Sequence, residues 1–346
     1  MTDMTVAMNS EYHDNFQSAQ AEAGEKLDRS VQKSLFDRME WLKQLHEQCL
    51  PDTQPLIVHS AENDAQAWMF LTKKRFGNYT ALANWYNFTY RPIFTGKFDE
   101  VTKLALLAGV AKKLKSLSYH IEIAPVPEED YAASLTERAF EQAGWVVFKS
   151  KADDNHILVV NGRTFDQYWA ERPGQLRNTV RRKAKKNIVS IRIETEFSEE
   201  HWADYCDVYA KSWKPEEGSP DFLKNIAQQE AAAGCLRLGL AYIDGKPVAA
   251  QFWTVENSEA LIHKLAHIAD ATKSSPGTLL SVAMFQHAID VDRVKLIDFG
   301  TGNDPYKREW MEDVRTRYRL EMFWPNNPLS WLSILRHRMS ALVGKR

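Results

Sequence analysis

The stretch over 260–311 constrains this chain more than any other. A strand-like run, 260–268, passes into a loop that ends Lys273-Ser274-Ser275-Pro276-Gly277-Thr278 and opens directly into an apolar helix over 278–290. A second strand, 294–299, runs through Asp298 into Phe299-Gly300-Thr301-Gly302-Asn303-Asp304-Pro305-Tyr306-Lys307, with a short helix expected over 305–311. Glycine at a loop-to-helix junction lets backbone come close to a ligand. The start of the helix presents free N–H groups and the positive end of its dipole, so the junction suits a pyrophosphate or another anion. An ordinary helix with Ser or Thr as its N-cap accounts for the same loop taken alone. The second strand adds an acidic residue near its end, a glycine-rich bend, and Tyr306 and Lys307 on a short helix. Polar chemistry is thus expected beside the first loop.

The surroundings read as mixed α and β. Apolar residues at helical spacing predict a helix over 35–49, which Pro51 stops. Strand-like runs follow at 55–59, 67–72 and 79–94, then a helix over 101–117, a strand over 119–124, a helix over 130–143 and a strand over 145–149. The second half gives a strand over 188–196, helices over 199–212 and 220–233, and strands over 235–243 and 247–255. Asp244-Gly245 between those last two strands is a strong hairpin signal. In 317–324, Tyr318, Leu320 and Met322 alternate with Arg317, Arg319 and Glu321, as in a half-buried strand. No internal sequence repeat is visible, although the two halves have similar element content.

Composition removes several function classes. The chain has 346 residues, a length that suggests two domains, and a net charge of −2, which argues against a general nucleic-acid binder. No run approaches the ~18 apolar residues of a transmembrane helix, and the first thirty residues hold no signal-peptide core. Cys49, Cys206 and Cys235 have no metal-ligand spacing, so no metal is expected and a reducing, cytoplasmic setting is. Residues 1–30 are polar and read as disordered. The basic run over 176–188 holds Arg177, Arg181, Arg182, Lys185 and Lys186. It is a solvated helix or a contact to a phosphate-bearing ligand.

These motifs, in this order, resemble the GNAT acyltransferase superfamily, and within it the branch shared by FemAB-type proteins and the CelD-type proteins of exopolysaccharide and cellulose gene clusters. Ser212-Trp213-Lys214, Gly245-Lys246-Pro247-Val248-Ala249-Ala250, Ile262-His263-Lys264-Leu265-Ala266 and the basic run after Tyr168-Trp169 carry the same resemblance. It spans roughly 35–325 and is strongest over 165–325. It implies an α/β (α+β) fold of tandem GNAT-like domains, each a mixed, mostly antiparallel sheet flanked by helices. The expected organisation is a disordered 1–30, a first domain over 31–175, a second, acyltransferase domain over 176–326, and an amphipathic C-terminal helix over 327–346. The resemblance places an acyl-CoA or acetyl-CoA thioester in a V-shaped opening between strands 260–268 and 294–299. It puts the pyrophosphate turn on Ser274, Ser275, Pro276, Gly277 and Thr278. The chain departs from the common GNAT turn, which has more glycines and a basic first residue.

Amide formation from a thioester needs an amine that loses a proton, a stabilised oxyanion and a protonated or tolerated thiolate. An amine with a pKa of about 10 is mostly protonated at pH 7, so a base helps. Asp298 is the first candidate for base or amine anchor; its alternative is to cap the turn that follows. His263 and His267 share one face of their strand by period two, and either is a candidate base or a satisfied polar residue. Tyr306 is the candidate acid for the thiolate, or a packing residue. Lys307 pairs with phosphate or a carboxylate, or lies on the surface. In the first half Tyr86, Tyr90 and Arg91 either line an acceptor cleft and stack on a sugar ring or belong to a strand with core aromatics. Trp213 and Lys214 are candidates for the same cleft, with Trp213 as a core residue the alternative, and His267 and Asp304 complete the expected acceptor contacts. The oxyanion is assigned to backbone N–H groups.

The expected reaction is N-acylation of an amine on a small-molecule, sugar or amino-acid-type acceptor, in envelope or exopolysaccharide synthesis. One rival is a Fem-like aminoacyltransferase that uses aminoacyl-tRNA. Another is a non-catalytic GNAT scaffold in a polysaccharide-synthesis assembly. The tail after Asn327 is a basic amphipathic helix that touches the inner face of a membrane or docks on the protein.

Overall fold

A computed structural model describes residues 8–343, and the chain divides into two compact units, 1–153 with 316–346, and 154–315. The division falls about twenty residues before the expected boundary at 175/176. A strand of fourteen residues carries the chain across it, so no linker composition marks the place.

The first unit contains β1 (Asn9–His13), α1 (Phe16–Ala23), α2 (Met39–Cys49), β2 (Pro55–Glu62), β3 (Ala65–Lys73), β4 (Asn78–Ala81), β5 (Ile93–Thr95), α3 (Glu100–Leu114), β6 (His120–Val126), α4 (Ala132–Gln142) and the first half of β7 (Val146–Val159). The expectation of disorder over 1–30 is overturned for residues 8–30; residues 1–7 lie outside the described residues. Asn15 caps α1 by accepting from the Ser18 N–H, and β1 pairs antiparallel with β2. Ala19, Ala23 and Leu27 are buried. Small side chains at helical spacing suffice for packing here, and composition alone does not register them.

The second unit contains the rest of β7, then α5 (Phe165–Ala170), α6 (Gly174–Ala184), β8 (Ser190–Glu194), α7 (Glu199–Ala210), α8 (Pro220–Ala232), β9 (Leu236–Ile243), β10 (Lys246–Glu256), β11 (Glu259–His267), α9 (Pro276–Gln286), β12 (Leu296–Thr301) and α10 (Lys307–Trp310). β13 (Asp313–Phe323) begins here and ends in the first unit, where α11 (Trp331–Val343) follows. No helix among the described residues is long and apolar enough to cross a membrane.

The two units repeat one topology that the sequences do not repeat. In the first the strand order is β1-β2-β3-β4-β6-β13; in the second it is β7-β12-β11-β10-β9-β8. Each is antiparallel except for one parallel step, β4 with β6 and β11 with β12, and a helix bridges each step, α3 and α9. Each helix packs its own core: Leu106, Leu107, Val110 and Leu114 in the first unit, Leu280, Met284 and Phe285 in the second. Gly239 on β9 permits the second contact, since a Cβ there would lie 2.5 Å from the Met284 sulfur. The hairpin holds: Asp244 and Gly245 both have positive φ, and β9 and β10 pair away from them.

Two strand readings are corrected. The run over 79–94 is not one strand but β4 and β5 with an irregular segment between. In β13, Leu320 and Met322 are buried as the alternation predicts, yet Arg317, expected to face out, is 1% exposed. A register shift between Tyr318 and Leu320 turns it inward. There its guanidinium donates to the Phe88 carbonyl at 3.1 Å and pairs with Glu129 at 2.8 Å.

Candidate active site

β11 and β12 pair over three positions only, Glu259 with Leu296, Ala260 with Ile297 and Leu261 with Asp298. β11 then continues to His267 and β12 to Thr301 without further pairing between them. The strands therefore part at the end that faces the start of α9. A cavity of about 290 Å³ lies there, lined by Leu265 and His267 of β11, Ser275 to Thr278 at the helix start, Phe299 of β12, and Tyr306.

The first turn of α9 is open. Ser275 sits at the N-cap in the left-handed region, φ 53°, and its side chain makes no cap bond. Pro276 at the first helical position has no N–H to offer, and the first turn holds no acid. The N–H groups of Gly277 and Thr278 thus stand at the positive end of the helix beside the cavity. Gly277 is buried under His267, whose Nδ1 would lie 3.2 Å from any Cβ placed there. The helix begins at Pro276, two residues before the expected start. Ser274 lies one residue outside the cavity lining, at the end of the short 3-10 helix Ala269–Ser274.

The histidines do not share a face. β11 bulges at His263: Phe252 pairs with Lys264 while Trp253 pairs with Ile262. A one-residue bulge reverses the alternation. His267 therefore faces α9, and His263 faces α7. The His263 ring stacks on Phe252 and bonds Thr254 Oγ1 at 2.8 Å; burial and the Lys264 ammonium push its pKa down to about 3. It is neutral and structural. His267 packs against Trp213, ring centroids 4.3 Å apart, and burial with the nearby Lys214 charge lowers its pKa as well. Its imidazole is in the cavity and in the basic form at neutral pH.

Tyr306 lines the cavity edge-on to Phe299, and burial with the Asp304 charge pushes its pKa up to about 12. It keeps its proton throughout the physiological range. Asp298 is outside the cavity lining. Its Oδ1 accepts from Asn155 Nδ2 at 2.6 Å and from the Gly300 N–H at 2.7 Å, so the carboxylate ties down the bend after β12. Of the two readings of Asp298, the turn cap describes its contacts. Lys307, expected at a phosphate, is 5% exposed. Its Nζ donates to the Thr301 and Gly300 carbonyls at 2.5 and 3.4 Å and lies over the Phe299 ring. It clamps the same bend.

A second cavity, about 450 Å³, opens on the α7 face. Trp202, Tyr205 and Tyr209 of α7 form its wall, with Lys214 and Glu217 from the loop after α7. Glu217 pairs with Lys264 at 2.8 Å. Desolvation and the Lys264 charge lower the Lys214 pKa, against the pull of Asp304 and Glu217. Trp213 and Lys214 thus divide between the two cavities, while Asp304 is exposed near Lys214.

The first-half candidates are elsewhere. Tyr86 and Tyr90 are buried in the first unit, and Arg91 is held between Asp37 and Asp130. They build core and ion pairs, not a sugar platform. Two residues, Asn155 and Ser281, escaped the sequence reading. Asn155 holds Asp298. Ser281 lines the first cavity and accepts from Gln251 at 2.8 Å. Leu176 places the basic α6 beside that cavity, with Arg177, Arg181 and Arg182 exposed and Lys183 bonded to the Lys273 carbonyl. The polar Gln251 within the apolar run of 247–253 was the one available signal.

With this geometry in hand, three comparisons bear on identity. A model of the acetyltransferase (GNAT) domain matches residues 174–308. No curated protein matches the chain at the sequence level. Among solved structures, FemX is similar with a TM-score of 0.61 at 11% identity, over 94% of this chain and 99% of FemX. The C-terminal domain of a protein assigned as a lysylphosphatidylglycerol synthetase from Agrobacterium fabrum gives a TM-score of 0.54 at 14% identity, over 93% of this chain and 96% of that one. The structure of L-PGS from Bacillus licheniformis gives 0.53 at 15%, over 89% and 97%. At these identities the likeness speaks for the fold. The chain is a transferase of mixed α/β GNAT fold, and the domain match covers most of the unit that holds both cavities.

Proposed function

We propose that the chain moves an acyl group from an acyl-CoA thioester to the amine of a saccharide or amino-acid-type acceptor, in envelope or exopolysaccharide synthesis. The observation that carries this reading is the uncapped start of α9 at the mouth of the opening between β11 and β12. The Gly277 and Thr278 N–H groups suit the pyrophosphate of such a donor. The unpaired edge of β11 beyond Leu261 offers backbone N–H groups to a thioester oxygen as charge develops on it. The acceptor amine reaches the reacting carbon from the second cavity, past Lys214 and Trp213. Neutral His267 takes the amine proton as the C–N bond forms. Tyr306 gives its proton to the sulfur as the C–S bond breaks.

Aminoacyl-tRNA is the second reading of the donor, and α6 favours it. Its exposed Arg177, Arg181 and Arg182 continue into Lys185 and Lys186, next to the same cavity.

Calorimetric titration with acetyl-CoA tests the donor, and Tyr306→Phe tests the chemistry. The variant is expected to keep donor affinity and lose about a hundredfold in kcat. Since the His267 pKa lies below the ordinary histidine value, kcat/KM is expected to hold at neutral pH and fall on the acid side of pH 6.5. Folded protein that ignores acyl-CoA but binds tRNA with a steep salt dependence would transfer the assignment to the second reading.

A further inference from the structure

α11 is held to the first unit along one side only. Ile334 is buried, and the His337 ring stacks on Phe148 at 4.4 Å and leans on Phe323 at 5.6 Å. Trp331 Nε1 donates to the Pro325 carbonyl at 2.8 Å, which fixes the indole at the helix start.

The other side is open. Leu329, Trp331, Leu332, Leu335 and Met339 are each 55–65% exposed, five of the sixteen large exposed hydrophobic side chains among the described residues. Helical residues turn by about 100° per step, so Trp331, Leu335, Met339 and Leu332 fall within one arc about 100° wide. By the same geometry Arg338 stands just outside one edge of that arc and Arg336 just outside the other, and both are exposed. Over 325–346 the sequence has four Lys and Arg residues and no Asp or Glu.

We propose that this face of α11 docks on an anionic lipid bilayer. The apolar arc enters the boundary between headgroups and acyl chains, and the flanking arginines stay at the level of the lipid phosphates. Charge selects this occupant. A second copy of the helix would set one pair of arginines against another, with no acid in the segment to offset them. An anionic surface meets both edges of the arc at once. The proposal stands apart from the donor and acceptor assignments, since no residue of either cavity takes part.

Sedimentation of the full chain with vesicles tests it. Phosphatidylcholine vesicles containing phosphatidylglycerol are expected to bind at least about tenfold more tightly than phosphatidylcholine alone, and added salt to weaken the binding. The double variant Leu335→Glu, Met339→Glu should lose about tenfold or more, and Arg336→Gln and Arg338→Gln about fivefold each. All four side chains are exposed, so circular dichroism and thermal unfolding should match the parent. Failure of the folded parent to bind the anionic vesicles would overturn the proposal, as would equal binding by the glutamate variant. A dimer in sedimentation velocity that Leu335→Glu dissolves would assign the face to a second copy and overturn it too.

Discussion

α3 and α9 hold the same place in two units of one topology, and their first turns differ in charge. α3 starts at Asp99, whose carboxylate accepts from the Thr102 N–H at 2.8 Å, and Glu100 follows it. Its positive end is already matched. α9 starts at Ser275 with no side-chain cap and no acid in the first turn. The parallel steps differ in the same sense. Beyond Thr80 and Glu122 the gap between β4 and β6 is filled by the chain itself: the Tyr90 N–H donates to Pro125 of β6 at 2.7 Å, and its hydroxyl to Phe70 of β3 at 2.9 Å. Beyond Leu261 and Asp298 the corresponding gap is lined but not filled. One scaffold thus serves twice, once closed as a core and once open as a cleft. Only one of the two helices leaves its positive end unmatched.

The most disruptive way to break the comparison is to empty the plug. Tyr90 is buried and bonds β6 through its N–H and β3 through its hydroxyl, so Tyr90→Ala is expected to cost about 3–5 kcal/mol of stability, read by urea unfolding. Tyr90→Phe keeps the ring and leaves the Phe70 carbonyl short of one donor, at about 1–3 kcal/mol. A loss under about 1 kcal/mol for Tyr90→Ala would mean the first unit tolerates an open step, and the contrast between the units would lose its physical basis.

The second change makes α9 resemble α3. Thr278→Glu puts a carboxylate in the first turn, where it complements the helix dipole and repels a bound phosphate. Donor affinity by calorimetry is expected to fall at least about tenfold, while the thermal midpoint stays level or rises slightly. An unchanged affinity would remove the anion from this helix start.

How much of this was legible in the sequence follows from the range of the forces involved. The hairpin at Asp244-Gly245 and the loop before α9 are local: a turn that needs two positive φ values, and a Pro-Gly helix start, are written in adjacent residues. The parting of β11 and β12 was expected only through the family resemblance that the motifs carry together. The bulge at His263 was not legible, because nothing in Ile262-His263-Lys264 marks it. Cross-strand register with β10 creates it, and it moved His263 to the opposite face from His267. Arg317 and Lys307 were misread for a related reason. A cation is assigned to the surface unless its partners are known, and theirs are backbone carbonyls distant in sequence or bent into place. Tyr86 and Tyr90 show the same limit, since an aromatic run has one composition whether it stacks on a sugar or fills a gap.

The mildest test removes the charge that closes α3. Asp99→Ala leaves the Thr102 N–H without its acceptor, so the thermal midpoint should drop by a few degrees at most, with donor affinity unchanged. The sign of its pH dependence can be stated. Hydrogen bonds from Thr102 hold the folded Asp99 carboxyl below its ordinary value, so the unfolded chain binds more protons as the pH falls. The Asp99 contribution is therefore complete above the unfolded pKa of about 3.9 and lost as the pH drops through the lower folded value. Parent and variant should differ at pH 7 and converge in strong acid. A variant that instead gained donor affinity would show that α3 is a second anion site held shut by its own cap, and the two units would then differ by one side chain and not by design of the cleft.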